Sequence, residues 1–220
     1  MNALAAEAAR LGSVLAGLGP ADWARPTPCP PWDVAGLVGH VVTTLARVPV
    51  MLDGPAPAVA SVDAVDYYRP DARFGPDVDA ARISSGRSLA AGAGSGLSAE
   101  FDRVWRSVVT RCAAEPADRL VSTRHGDAML LTDFLVTRVV EVGVHGLDLA
   151  AALDREPWLT PEAASTLTDL LLPAASGVLD ELGWDRVTFV RAATGRSPLD
   201  PAAREVLERS GLRRLALGPA

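Results

Sequence analysis

Leu4, Ala8, Leu11, Leu15 and Leu18 recur at spacings of three and four from the start of the chain, the period of a helix with one buried face. Gly19-Pro20 closes it. A second helix is expected after Pro30-Pro31, with Asp33 in its first turn, where a carboxylate suits the helix dipole. Its apolar stripe is Val34, Leu37, Val38, Val41, Leu45 and Val48. A third helix runs from about Ser98, an N-cap candidate, to Ala114, with Phe101, Val104, Trp105, Val108 and Cys112 on its apolar side. The fourth spans about Leu131 to Leu153 and is apolar around most of its circumference.

Between the second and third helices, Gly54 to about Gly96 is rich in proline, glycine, alanine and aspartate and has no sustained period. A connection of that length is usually functional or mobile. Tyr67, Tyr68 and Phe74 within it suggest that part packs down as a lid or crossover. Asp118 to Met129 reads as a turn-rich link with a short strand at Leu120 to Thr123. A further helix is expected over Pro161 to Leu182, then a strand (Arg186 to Ala192), a helix (Pro201 to Ser210) and a strand (Arg213 to Leu217). The pattern predicts a mainly α protein: a four-helix bundle over residues 1–155 and a small C-terminal α+β appendage over 156–220.

Composition narrows the function classes. The net charge of -6 gives no basic face for nucleic acid. All 21 basic residues are arginine, Asn2 is the only asparagine and Ile83 the only isoleucine. That is the codon bias of a GC-rich genome, so the arginines carry no message about phosphate. Met1 to Gly19 lacks the basic n-region and cleavage site of a signal peptide, and no apolar run reaches the roughly 18 residues of a membrane span. Cys29 and Cys112 form no C-x-x-C pattern. A cytoplasmic protein with reduced thiols and no membrane partner is expected, as a monomer or homodimer.

The fourth helix holds the candidate chemistry. At about 100° per residue, Arg138, Glu141, His145 and Asp148 fall within a wedge of about 80°. Glu141 and His145 are one turn apart and can converge on a point. Two readings compete: the wedge is the solvated stripe of a buried helix, or it is a site. Histidine usage favours a site, because the chain has 3 histidines and one stands a turn from a carboxylate. His40, on the second helix among Gly36, Gly39, Thr43 and Thr44, gains weight only beside that pair. Two imidazoles and a carboxylate suit a divalent metal: zinc first, with iron(II) or nickel also possible donors' choices. Three protein ligands leave a coordination position open, as catalysis needs.

Other residues read as structural. His125 reads as a loop histidine, with a substrate-contacting role open because its link feeds the fourth helix. Cys29 reads as packing at the bundle end and Cys112 as core. Ala91 to Gly96 resembles a phosphate loop but lacks its lysine and follows no strand, so it reads as a flexible connection. Gly195-Arg196 reads as a solvated turn, with anion binding as the alternative.

Two segments, Trp23-Ala24-Arg25-Pro26-Thr27-Pro28-Cys29-Pro30-Pro31-Trp32-Asp33-Val34 leading to His40, and Arg138 to Ala150, resemble the mycothiol-dependent maleylpyruvate isomerase family. The resemblance covers roughly the first 155 residues. It implies a DinB-like four-helix bundle in which His40, Glu141 and His145 bind zinc, and mycothiol as thiol cosubstrate. It further implies a metal-held thiolate adding to an electrophilic carbon of a small molecule, giving isomerisation or, in relatives, thiol transfer. Arg138 and Asp148 are then the candidate catalytic residues, Arg138 by orienting a carboxylate on the thiol's reaction partner. Asp148 and His125 are also the candidates for a fourth ligand that would close the site. The alternatives are a non-catalytic metal-binding or regulatory protein and a hydrolase using metal-bound water. Pro31 stands where the family usually has glycine, and the short appendage offers no match for the substrate-binding arginine of the family's second domain.

Overall fold

The chain was analysed as a computed structural model, which describes residues 1–70, 75–173 and 175–215, with the side chains of 175 and 176 left aside. Four long helices make the bundle: α1 (Asn2–Ala16), α2 (Val34–Asp53), α4 (Leu97–Ala113) and α5 (Leu131–Ala152). They form a ring in which α1 and α2 each pack against both α4 and α5. The stripes read from the sequence are what they bury: Leu4, Leu11, Val41, Leu45, Phe101 and Val108 are all 1% exposed or less. Asp33 is the N-cap of α2, accepting from the Gly36 amide at 2.7 Å. By length and composition α2 would pass for a membrane span, yet much of it is buried against its neighbours in the bundle. The third bundle helix begins after Gly96, so Ser98 lies in its first turn and caps nothing.

The region between α2 and α4 departs from expectation. Tyr67 and Tyr68 do pack down, 7% and 3% exposed, and the Tyr68 hydroxyl donates to the Thr137 carbonyl at 3.1 Å. Phe74 lies outside the described residues. Beyond it, Pro76–Ala93 is a helix, α3, where no helix was expected. Its only buried residue is Gly86, so there was no apolar stripe to read. Proline at its first position and Asp77 and Asp79 in its first turn favour its start. It rests on α2 through a glycine contact so close that a Cβ on Gly39 would lie 2.2 Å from the Gly86 carbonyl oxygen. The small residues around His40 therefore admit α3, not the helix that carries Glu141.

A two-stranded antiparallel sheet, β1 (Leu120–Ser122) with β2 (Ala128–Leu130), leads into α5 and places the expected strand. The C-terminal region corrects the sequence reading three times. The helix expected over 161–182 breaks into α6 (Pro161–Leu171) and α7 (Ala175–Leu182). Leu172 is extended, as a residue before proline tends to be, and Pro173 cannot continue the helix. The strand expected over 186–192 is helix α8 (Arg186–Ala193), capped by Asp185, whose carboxylate accepts from the Thr188 amide at 2.7 Å. Its β-branched residues favour a strand locally, but burying Phe189, Val190 and Ala192 beside α6 decides for helix. α9 (Pro201–Arg209) follows as expected, and residues 213–215 form no strand. The appendage is thus helical among the described residues rather than α+β, and Leu167, Leu171, Phe189 and Leu207 join the same core as the bundle.

Candidate metal centre

α2 and α5 bring the three sequence candidates to one point. His40 Nε2 lies 3.2 Å from Glu141 Oε2, and His145 Nε2 lies 3.6 Å from the same oxygen. One donor atom from each falls within 4.8 Å of the others. Donors bound at about 2.1 Å around a tetrahedral zinc stand roughly 3.4 Å apart, and the two separations from Glu141 Oε2 lie close to that. The side chains are 11%, 17% and 13% exposed, and all three line a cavity of about 520 Å³. Trp32 flanks His40 with ring centroids 5.4 Å apart, and the two imidazoles meet edge to face at 5.3 Å.

The protonation states suit the donors. Burial alone would raise the Glu141 carboxyl, but the His40 hydrogen bond and the charges of His40, Arg138 and His145 hold it well below the usual carboxylate range. Burial lowers His40 against the pull of Glu141, favouring the neutral imidazole. A deprotonated carboxylate and a neutral imidazole are the forms that bind metal.

Arg138 and Asp148 stand behind the donors. Asp148 is fully buried and does not line the cavity; its Oδ2 meets His145 Nδ1 at 3.0 Å. A carboxylate only accepts, so Nδ1 carries the proton and Nε2 turns its lone pair to the cavity. Asp148 therefore cannot serve His145's ion as a direct fourth ligand in this arrangement while it holds the far nitrogen. Arg138 is 1% exposed, with Nη1 on the Thr44 carbonyl at 3.1 Å, Nε and Nη2 on Thr137 Oγ1 at 3.2 and 3.0 Å, and Nη2 3.8 Å from Glu141 Oε1. Its guanidinium also covers the Phe134 ring at 4.5 Å.

Three residues differ from their sequence reading. Arg196 is neither solvated nor an anion site: its side chain is 4% exposed and donates to both oxygens of Asp148. Cys29 lines the cavity instead of packing away from it, with a sulfur among the ligand-type atoms of His145 and Asp148. Burial, then the Asp148 charge, push its thiol up, so it is held protonated. His125 lines the same cavity, its ring 6.1 Å from that of Tyr67, rather than standing in open solvent. Arg47, Arg82 and Arg124, which the sequence did not single out, complete the cavity wall. Only Arg47 had a local signal, two turns beyond His40 on the same face of α2.

The model of the mycothiol maleylpyruvate isomerase N-terminal domain matches residues 4–150, the stretch that holds all three donors. The chain belongs to that family. Among solved structures, the crystal structure of the mycothiol-dependent maleylpyruvate isomerase is similar over 89% of this chain and 88% of that chain, with a TM-score of 0.59 and 16% identity. At that identity the likeness speaks for the fold alone. A comparison with curated proteins gives no match. Membership in the mycothiol maleylpyruvate isomerase family supports an isomerase-type enzyme.

Proposed function

We propose that this chain is a metal-dependent, mycothiol-using enzyme that isomerises, or transfers the thiol to, a small electrophilic substrate. The observation that carries the reading is the convergence of His40, Glu141 and His145 donor atoms within 4.8 Å at the wall of an accessible cavity. The donor set of two imidazoles and one carboxylate suits zinc and leaves room for an exogenous ligand. When bound, the ion would lower the pKa of a thiol and hold it as thiolate. The solved relative's name, a mycothiol-dependent maleylpyruvate isomerase, supports the choice of thiol and of isomerisation.

The chain's own residues would orient this chemistry. Asp148 keeps the His145 proton on Nδ1, and Arg138 steadies Glu141 from behind; both are positioning residues in this reading. Sulfur adds to one carbon of a conjugated double bond, and its electron pair moves to the activating carbonyl. Rotation about the resulting single bond and expulsion of the same thiolate restore the double bond in the other geometry, with no net redox change.

Cobalt(II) in place of the native ion tests the proposal. Mycothiol should produce a thiolate charge-transfer band with wild type and none with His145→Ala. If mycothiol gives neither band nor binding heat, the thiol reading is wrong and metal-assisted hydrolysis or a non-catalytic role replaces it.

A further inference from the structure

A second cavity of about 410 Å³ adjoins the first. Arg47, Tyr67 and Arg124 line both cavities, so they form the partition between them. On the far side the walls are largely apolar: Ala46, Val50, Met51, Pro55, Leu89 and Phe134. Val50 is 71% exposed at this wall, an uncovered apolar side chain beside an apolar hollow.

Among the described residues no carboxylate pairs directly with either arginine of the partition, and Glu141 reaches both only through its charge. Among the described residues no hydrogen bond or ion pair engages the half-buried Arg47 guanidinium. Arg124 donates from Nε to His125 Nε2 at 3.0 Å and meets no carboxylate there. Burial, then the charges of Arg124 and Arg138, push Arg47 down to about 10, so it stays charged at neutral pH while crowded by like charges. Two facing guanidiniums with free donors fit a carboxylate, which would relieve that repulsion through charge-assisted hydrogen bonds.

We propose that the second cavity is a substrate subsite for an apolar, ring-sized body whose carboxylate is held at the partition by Arg47 and Arg124. Arg47 lies two turns from His40 on α2, about 10 Å by helical rise. A carboxylate seated there leaves several bonds' reach between it and the metal donors, and the assignment rests on the proposed function only for which carbon then reacts. The preferred ligand is an amphipathic monocarboxylate rather than a small dicarboxylate, because among the described residues Arg47 and Arg124 are the only cations lining the apolar cavity, and both stand at the partition.

Calorimetry on the metal-loaded full chain tests this with 3-phenylpropionate, its neutral amide and maleate as probes. Phenylpropionate should bind more tightly than both. Arg47→Gln should weaken it about 10- to 100-fold, the worth of a charged hydrogen bond, and leave the amide unchanged. Ala46→Phe, which fills the cavity from α2, should weaken phenylpropionate and spare maleate. Metal content and the cobalt band with 2-mercaptoethanol, read on the same variants, should match wild type, which separates failure here from failure of the thiol reading. Tighter binding of maleate, or phenylpropionate affinity indifferent to both substitutions, overturns the subsite.

Discussion

Arg196 grips Asp148 with two hydrogen bonds, Nε to Oδ1 at 3.0 Å and Nη2 to Oδ2 at 3.1 Å, across 48 residues of chain. A third donation, from Nη1 to the Thr194 carbonyl at 2.6 Å, fixes the guanidinium to its own turn. The C-terminal region thereby reaches the candidate metal site through one carboxylate and one imidazole.

Releasing that grip should loosen the metal. Partners that orient a metal-binding histidine typically contribute 10- to 100-fold in affinity, so Arg196→Ala should weaken zinc by about that factor. Competition against a chromogenic chelator measures it. Arg196→Lys should rescue only in part, since an ammonium cannot make the paired contact. Unchanged zinc affinity in Arg196→Ala would remove the positioning role.

The ion should tune the fold rather than create it. The bundle core, with Leu11, Val41, Leu45, Phe101 and Val142 fully buried, is large without it. Chelated protein should keep its helical circular dichroism. Elemental analysis should find close to one ion per chain in wild type and a clear loss in His40→Ala, Glu141→Ala and His145→Ala.

Arg138 should matter for stability as well as for turnover. Its hydrogen bonds to the Thr44 carbonyl and Thr137 are buried, so Arg138→Ala removes three buried donations and leaves a cavity beside Phe134. A cost of about 1–3 kcal/mol is expected, read as a lower denaturation midpoint. Thiol binding at cobalt should survive the change while turnover falls.

Glu7 supplies a pH dependence away from the metal. It is fully buried in α1, and its Oε2 accepts from both the amide and hydroxyl of Thr160, at 2.7 and 2.8 Å, tying α1 to the N-cap of α6. Burial raises its carboxyl above the ordinary 4.5 despite those bonds. The folded state therefore holds this proton more tightly than the unfolded chain does. Stability from this group is full below that ordinary value and is lost as pH rises through the raised one. Glu7→Gln keeps an acceptor and cannot ionise, so its stability relative to wild type should improve between about pH 4 and pH 7. Urea titrations across that range check the sign.

Gly39→Ala should separate α3 from α2. The added methyl meets a backbone oxygen at 2.2 Å and cannot be accommodated by a side-chain rotation. A loss of about 1–3 kcal/mol is expected, and it should appear with a changed affinity for cavity ligands, because Asp79, Arg82 and Ile83 of α3 line the site.

The bundle and the convergence of His40, Glu141 and His145 were legible because each rests on a local period. Glu141 and His145 share a helix face, and His40 lies on a stripe whose other members are buried. What escaped depended on partners far along the chain. Arg196 has meaning only beside Asp148, and Arg47, Tyr67 and Arg124 come from three separate segments. α3 escaped for the opposite reason: it buries almost nothing, so it left no pattern. The break at Leu172-Pro173 is readable from the proline, whose ring cannot continue a helix. α8 reads as a strand locally because Val187, Thr188 and Val190 favour strands, and only the buried place that Phe189 finds beside α6 decides for helix.

The shallow seating of α3 divides the labour of the site between two kinds of chain. α2 and α5 are fixed on nearly every face by the core, so the donors they carry tolerate little drift. α3 is anchored on α2 through Gly86, and its remaining positions, Arg82, Ile83 and Leu89 among them, border one cavity or the other without being buried in the core. Mutations can accumulate there without unsettling the bundle. A lineage of this architecture can therefore exchange one substrate for another by rewriting a single helix, while the candidate metal ligands stay where they are.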